Sequence, residues 1–130
     1  MDAAEPGAAG EQGRILSLRR AALVCALVST IVLLVAGVVP SAGQPFQSWM
    51  HWLAHFVAFA VLAFAWKCGL PQVPAWIVAI GTVAFGFAHE AIEIVGHSHA
   101  FEPEDALVDA AGAIAGVLLA CVPIARFAQR

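Results

Sequence analysis

With 130 residues, 62% of them hydrophobic and only 12% charged, the chain carries more apolar surface than one core of this size can enclose, which excludes an ordinary globular domain in water. Its formal net charge of −3, from 9 acids against 6 basic residues, and the placement of those basic residues exclude a nucleic-acid surface. What remains is an all-α polytopic membrane protein, four transmembrane helices in an antiparallel bundle, with the lipid bilayer as its first partner.

The first thirteen residues, "MDAAEPGAAGEQG", are small, polar and glycine-rich, and read as a disordered cytoplasmic tail ahead of a membrane domain over 14–130. Helix 1 is expected over Ala21 to Val39, "AALVCALVSTIVLLVAGVV", which has neither charge nor proline. Basic residues ahead of an apolar run also mark signal peptides. This run is longer than their usual apolar core, however, and the surroundings of Ala42 make a poor cleavage site, so a retained span is the better reading. Helix 2 follows over Trp49 to Trp66 and helix 3 over Ala75 to Val95. Helix 4 covers Asp105 to Val122. Pro40, Gly43 and Pro45, then Gly69, Pro71 and Pro74, then Gly96 and Pro103 break the chain between them. Cys25, Cys68 and Cys121 have no metal-motif spacing and read as unpaired.

These spans put Arg14, Arg19, Arg20, Lys67, Arg126 and Arg130 on one side, which the positive-inside rule makes the cytoplasm. Both termini are then cytoplasmic in a multi-pass inner-membrane protein. Trp49 and Trp52 mark the outer interface, and Trp66 and Trp76 the inner one. All five histidines, His51, His55, His89, His97 and His99, fall at the outer end. So do Glu90, Glu93, Glu102, Glu104, Asp105 and Asp109, leaving only the three acids of the tail elsewhere.

Helical spacing shows which of these groups share a face. His51 and His55 stack at i, i+4, as do His89 and Glu93, while Asp105, Asp109, Gly112 and Gly116 form one stripe, acidic outside and glycine further in. The glycines are expected to let a neighbouring helix approach closely. His55, Glu90 and Asp109 lie roughly 6 to 9 Å inside the helix ends at about 1.5 Å per residue, too deep to reach water by extending a side chain. Unpaired ionisable groups at that depth cost a few kcal/mol each, so these three should face one another, with His55 partnered by Glu90 or Asp109.

The motifs "HxxxF" at His55 to Phe59, "ExxE" at Glu90 to Glu93, "HAFEPED" at His99 to Asp105 and "DxxxDxxG" at Asp105 to Gly112 together resemble the VanZ-like family. These are small four-helix membrane proteins named for a teicoplanin-resistance accessory protein. His55, Phe59, Glu90, Asp105, Gly112 and Gly116 match the family's positions. His51-Trp52 replaces its Asp-Lys, Glu93 its Gln, His99 its loop Arg and Asp109 its Asn. The resemblance implies a role in the cell envelope, connected with antibiotic resistance, and an outward pocket of His51, His55, Glu90, Glu93, His99, Asp105 and Asp109.

Three uses of this end are open. It can be a structural polar cap that locks helices together. It can be a recognition pocket for an envelope lipid, a lipid-linked glycan or a glycopeptide. It can also be a divalent-metal site for Zn, Mn or Fe drawn from His51, His55, Glu90, Glu93 and Asp109, with possible hydrolytic activity, although "HEAIE" lacks the second histidine of HExxH.

The charge placement makes a direct prediction. A fluorescent protein fused after Arg130 should fluoresce in the cytoplasm and a phosphatase fused there should be inactive, whereas a cysteine placed in the loop at 41–48 should react with an impermeant thiol reagent from outside. An active C-terminal phosphatase would reverse the orientation.

Overall fold

In a computed structural model of the protein, which describes residues 6–42, 49–98 and 100–127, the chain forms four helices: α1 Pro6–Val38, α2 Trp49–Gly69, α3 Ala75–His97 and α4 Pro103–Phe127. They contain apolar spans of 29, 21, 23 and 20 residues in order. At about 1.5 Å per residue even a 20-residue span reaches about 30 Å, the thickness of a bilayer's hydrocarbon. The protein is an all-α, multi-pass membrane bundle.

Two boundaries differ from the sequence expectation in ways that matter. Helix α1 begins at Pro6, so residues 6–13 are helical and correct the reading of this stretch as disordered; residues 1–5 lie outside the described part. Proline suits a first helical position, and Ala8, Ala9, Glu11 and Gln12 are strong helix formers, which offsets the glycines that dominate the composition. Helix α4 begins at Pro103, ahead of Asp105, by the same preference of proline for the first turn. Asp105 is therefore already inside the helix, in register with Asp109.

The helices are not equivalent. Helix α2 touches all three others, α3 likewise, and among the described residues α1 and α4 share no contact. The bundle is thus a four-cornered arrangement with α2 and α3 across its short diagonal. Helix α1 is peripheral: only 11% of its most apolar window is buried, against 44% for α4. Leu27, Val28, Ile31, Val32 and Val35 are exposed along it, an apolar surface suited to contact with lipid.

Helices α2 and α4 make the closest pairing, for a reason visible at two glycines. A Cβ on Gly112 would run into the carbonyl oxygen of Phe56, and one on Gly116 into that of Ala60. The obstacles are backbone atoms, which cannot rotate away, so only hydrogen at these positions permits this approach. Below the contact, Ala63, Val78, Ala113 and Val117 form a dry core with Trp66 and Val73 packed on it. At the α2–α3 turn Lys67, 7% exposed, donates from Nζ to the carbonyls of Pro71 and Val73 at 2.8 and 2.9 Å. Its ammonium group therefore caps that turn. Arg19 of α1 donates to Gln72 Oε1 of that turn at 2.9 Å.

Replacing Gly112 or Gly116 with alanine should push α2 and α4 apart and cost about 1–3 kcal/mol each, read as a lower melting temperature in detergent. Gly81 has open space where a Cβ would go, so Gly81→Ala should not lower it. Equal melting of all three variants would refute backbone contact at the two α4 positions.

Candidate functional site

At the end of the bundle that gathers the histidines and acids, α2 and α4 face each other with matching repeats. His51 and His55 stand one turn apart on α2, Asp105 and Asp109 one turn apart on α4, and they join as two rungs. Nε2 of His51 is 2.8 Å from Oδ2 of Asp105, and Nδ1 of His55 is 2.9 Å from Oδ1 of Asp109. A carboxylate has no proton to give, so in each rung the imidazole N–H donates. Asp105 and Asp109 are 2% and 1% exposed and His55 is 9% exposed, with His51 nearer the surface. Both rungs are charge-assisted bonds in a setting where water competes little. The space for Asp109 is opened from α3 by Gly86, where a Cβ would lie 3.2 Å from the aspartate's own Cβ.

The rungs do not satisfy every atom. Oδ1 of Asp105, Oδ2 of Asp109 and Nδ1 of His89 are buried without a hydrogen-bond partner. Such atoms are uncommon in folded proteins, and each calls for a physical reason.

Helix α3 contributes His89 and Glu93, one turn apart, with Nε2 of the histidine 3.4 Å from Oε1 of the glutamate. This is an ion-pair distance and too long for a strong hydrogen bond. The three imidazoles form a row, with ring centres 4.6 Å apart from His51 to His55 and 5.9 Å from His55 to His89. Below them the His89 ring stacks on Phe85 at 6.4 Å, and Phe59 packs against both.

Glu90 takes a different course. It is 1% exposed and its Oε1 accepts the backbone N–H of Glu102 at 2.8 Å, tying α3 to the residue just ahead of α4. The expected partner of His55 is thus resolved in favour of Asp109. Glu90, three residues from Glu93 on the same helix, is turned towards the loop. His97, the last residue of α3, bonds through Nε2 to the carbonyl of Ala36 at 3.0 Å and fastens α3 to α1. Ser98 follows in the left-handed conformation (φ 59°, ψ 36°) and ends the helix. His99 lies outside the described residues.

A pocket of about 270 Å³ opens beside the histidines, between α1, α2 and α3. His51, His55, His89 and Glu93 provide its polar wall, and Ala54 and Ala58 its small side chains. Of the seven expected pocket residues, His51, His55 and Glu93 line it. Asp105 and Asp109 stand behind the histidines, and Glu90 serves the loop. His89 lines the pocket without being among the seven. Its i, i+4 pairing with Glu93 was the available signal.

One donor atom from each of His51, His55 and Asp105 lies within 4.8 Å of the others, so this group could hold a metal ion. The set differs from the one expected: Asp105 enters, because α4 starts early enough to bring it opposite His51, and among the described residues Glu90, Glu93 and Asp109 are not part of the group.

Compared with protein-family models, curated proteins and solved structures, the chain matches none of them. The VanZ-like resemblance stands on its motifs alone.

The rungs predict an asymmetric mutational response. His55→Leu alone leaves the Asp109 carboxyl without its hydrogen-bond partner and should cost about 1–3 kcal/mol, whereas the double variant His55→Leu, Asp109→Leu should recover much of that loss. Detergent melting of the two singles and the double measures the coupling. Strict additivity would mean that the rung contributes nothing to stability.

Proposed function

We propose that this is an inner-membrane protein, with both termini in the cytoplasm, that receives the polar head of a cell-envelope amphiphile in its outward-facing pocket. The observation that carries this reading is that the pocket does not stand alone. An apolar cleft of about 340 Å³, lined by Thr30, Leu62, Trp66, Ile77 and Phe85 among others, lies in the same seam between α1, α2 and α3. The two spaces follow each other along all three helices: Leu33 to Thr30 on α1, Ala58 to Leu62 on α2, His89 to Phe85 on α3. A molecule with a polar head and an apolar chain has that same division of chemistry.

The polar wall also narrows the head group. Imidazole and carboxylate side chains accept from hydroxyls and ammonium groups, and the outer loops carry no Lys or Arg to attract an anion. A sugar or amine head on a lipid tail fits these donors and acceptors, which is the chemistry of a lipid-linked glycan or a lipid-bearing glycopeptide. The VanZ-like resemblance points the same way. The nitrogen and carboxylate donors on the wall suit Zn, Mn or Fe where an ion is bound. A second reading, a structural cap without a ligand, is favoured by the Glu90 bond to the loop and by the rungs, which need no ligand to hold α2, α3 and α4 together.

Ala58 lines the pocket one turn from Leu62 of the cleft, so Ala58→Phe should fill that end of the pocket. Native mass spectrometry of gently extracted protein should show an envelope amphiphile on the parent. Occupancy should fall tenfold or more in the variant, about 1.4 kcal/mol in binding, with melting retained. No bound amphiphile on the parent, or the same occupancy on both, would leave the structural cap.

A further inference from the structure

We infer that His51, His55 and Asp105 form a site for one divalent transition-metal ion, with at least one coordination position open to the pocket. The site stands independently of what occupies the pocket.

Four observations converge on it. The two histidines are one turn apart on a single helix, and Asp105 comes from the facing helix, so the donors converge from two directions within 4.8 Å of one another. Tetrahedral donors about 2.0–2.2 Å from an ion are themselves separated by about 3.3–3.6 Å, inside that limit. Asp105 is 2% exposed and its Oδ1 has no partner. A buried carboxylate oxygen left open beside two imidazoles is what an ion would satisfy, and a wholly structural rung gives no reason for it.

The second observation concerns His55. Its Nδ1 is held by Asp109 at 2.9 Å. Carboxylates commonly hold the far nitrogen of a metal-bound histidine in this way, fixing the tautomer so that Nε2 presents its lone pair. Asp109 is therefore a positioning residue here, and the arrangement explains why a second buried acid stands behind the first. The third is charge. Asp105, Glu93 and Asp109 gather at an end whose loops hold no Lys or Arg, with only histidines as partners, so a divalent cation would offset a concentration of acids that no permanently charged side chain balances. The fourth is the pocket itself, which adjoins both histidines. Three protein donors beside an open space are the mark of a site that exchanges ligands, in contrast to the closed four-donor sites that only hold a fold. Imidazole and carboxylate together favour Zn, Mn or Fe over Ca or Mg, which prefer oxygen alone.

The test uses the full chain, free of any histidine tag, stripped with chelator in detergent and titrated with Zn²⁺ and with Co²⁺. The expected result is one equivalent bound, a visible Co²⁺ spectrum of low-coordinate nitrogen and oxygen ligation, and a rise in melting temperature on adding metal. His51→Ala and Asp105→Asn should weaken binding at least a hundredfold. Asp109→Asn should weaken it tenfold to a hundredfold, and Glu104→Gln, an exposed acid at the same end, should leave it unchanged. His51 is 29% exposed, so its removal does not empty a buried position, and His51→Ala decides the case if Asp105→Asn does not fold. Binding well below one equivalent, or an affinity that His51→Ala leaves intact, would overturn the site.

Discussion

A buried carboxylate persists only against a partner, and Asp105 and Asp109, both almost wholly enclosed, find theirs on α2. The rest of this end of the bundle follows from that requirement. Two histidines at the same helical interval as the two aspartates fix the register of α2 against α4, because a slip by one residue would break both rungs at once. The glycines make the distance possible. Gly112 and Gly116 continue the face that begins with Asp105 and Asp109, so the close backbone approach and the polar rungs belong to a single helix–helix contact. Dispersion holds its glycine part and charge-assisted hydrogen bonds hold its acidic part.

Helix α1 has a different relation to the bundle. Among the described residues it makes no contact with α4, and it exposes most of its apolar side chains. It packs on α2 and α3, and side-chain hydrogen bonds fasten it near both ends: Arg19 to Gln72 at one and His97 to the Ala36 carbonyl near the other. The polar pocket and the apolar cleft both open in the seam it forms with α2 and α3.

The polar residues divide into those that hold the fold and those that are left with capacity to spare. Lys67 spends its donors on the Pro71 and Val73 carbonyls, and Glu90 accepts the Glu102 amide. The unpartnered atoms of Asp105, Asp109 and His89 all occur at the row of imidazoles. Among the described residues, the unmet hydrogen-bonding capacity is thus gathered at one place in the bundle.

Much of this was legible in the residues themselves, and the reasons mark where legibility ends. Four apolar runs too long for a soluble core dictate four spans. Proline and glycine place the ends facing the connections to within a turn or so, while α1 starts well ahead of the expected Ala21, and the i, i+4 spacing of His51 with His55 and of Asp105 with Asp109 puts each pair on one face. These are local properties, determined by rise per residue and side-chain periodicity. Residues 6–13 escaped because glycine content argued for disorder while the alternating helix formers were enough to extend α1. The choice of partners is not local. That His55 meets Asp109 while Glu90 turns to a loop amide, that His89 joins the pocket, and that Asp105 joins the group able to hold an ion all depend on the rotation and offset of one helix against another. A difference of one residue along a helix turns a side chain by about a quarter of a circle. Periodicity determines which residues share a face, and only the packing of faces, through Gly112, Gly116 and Gly86, decides which faces meet.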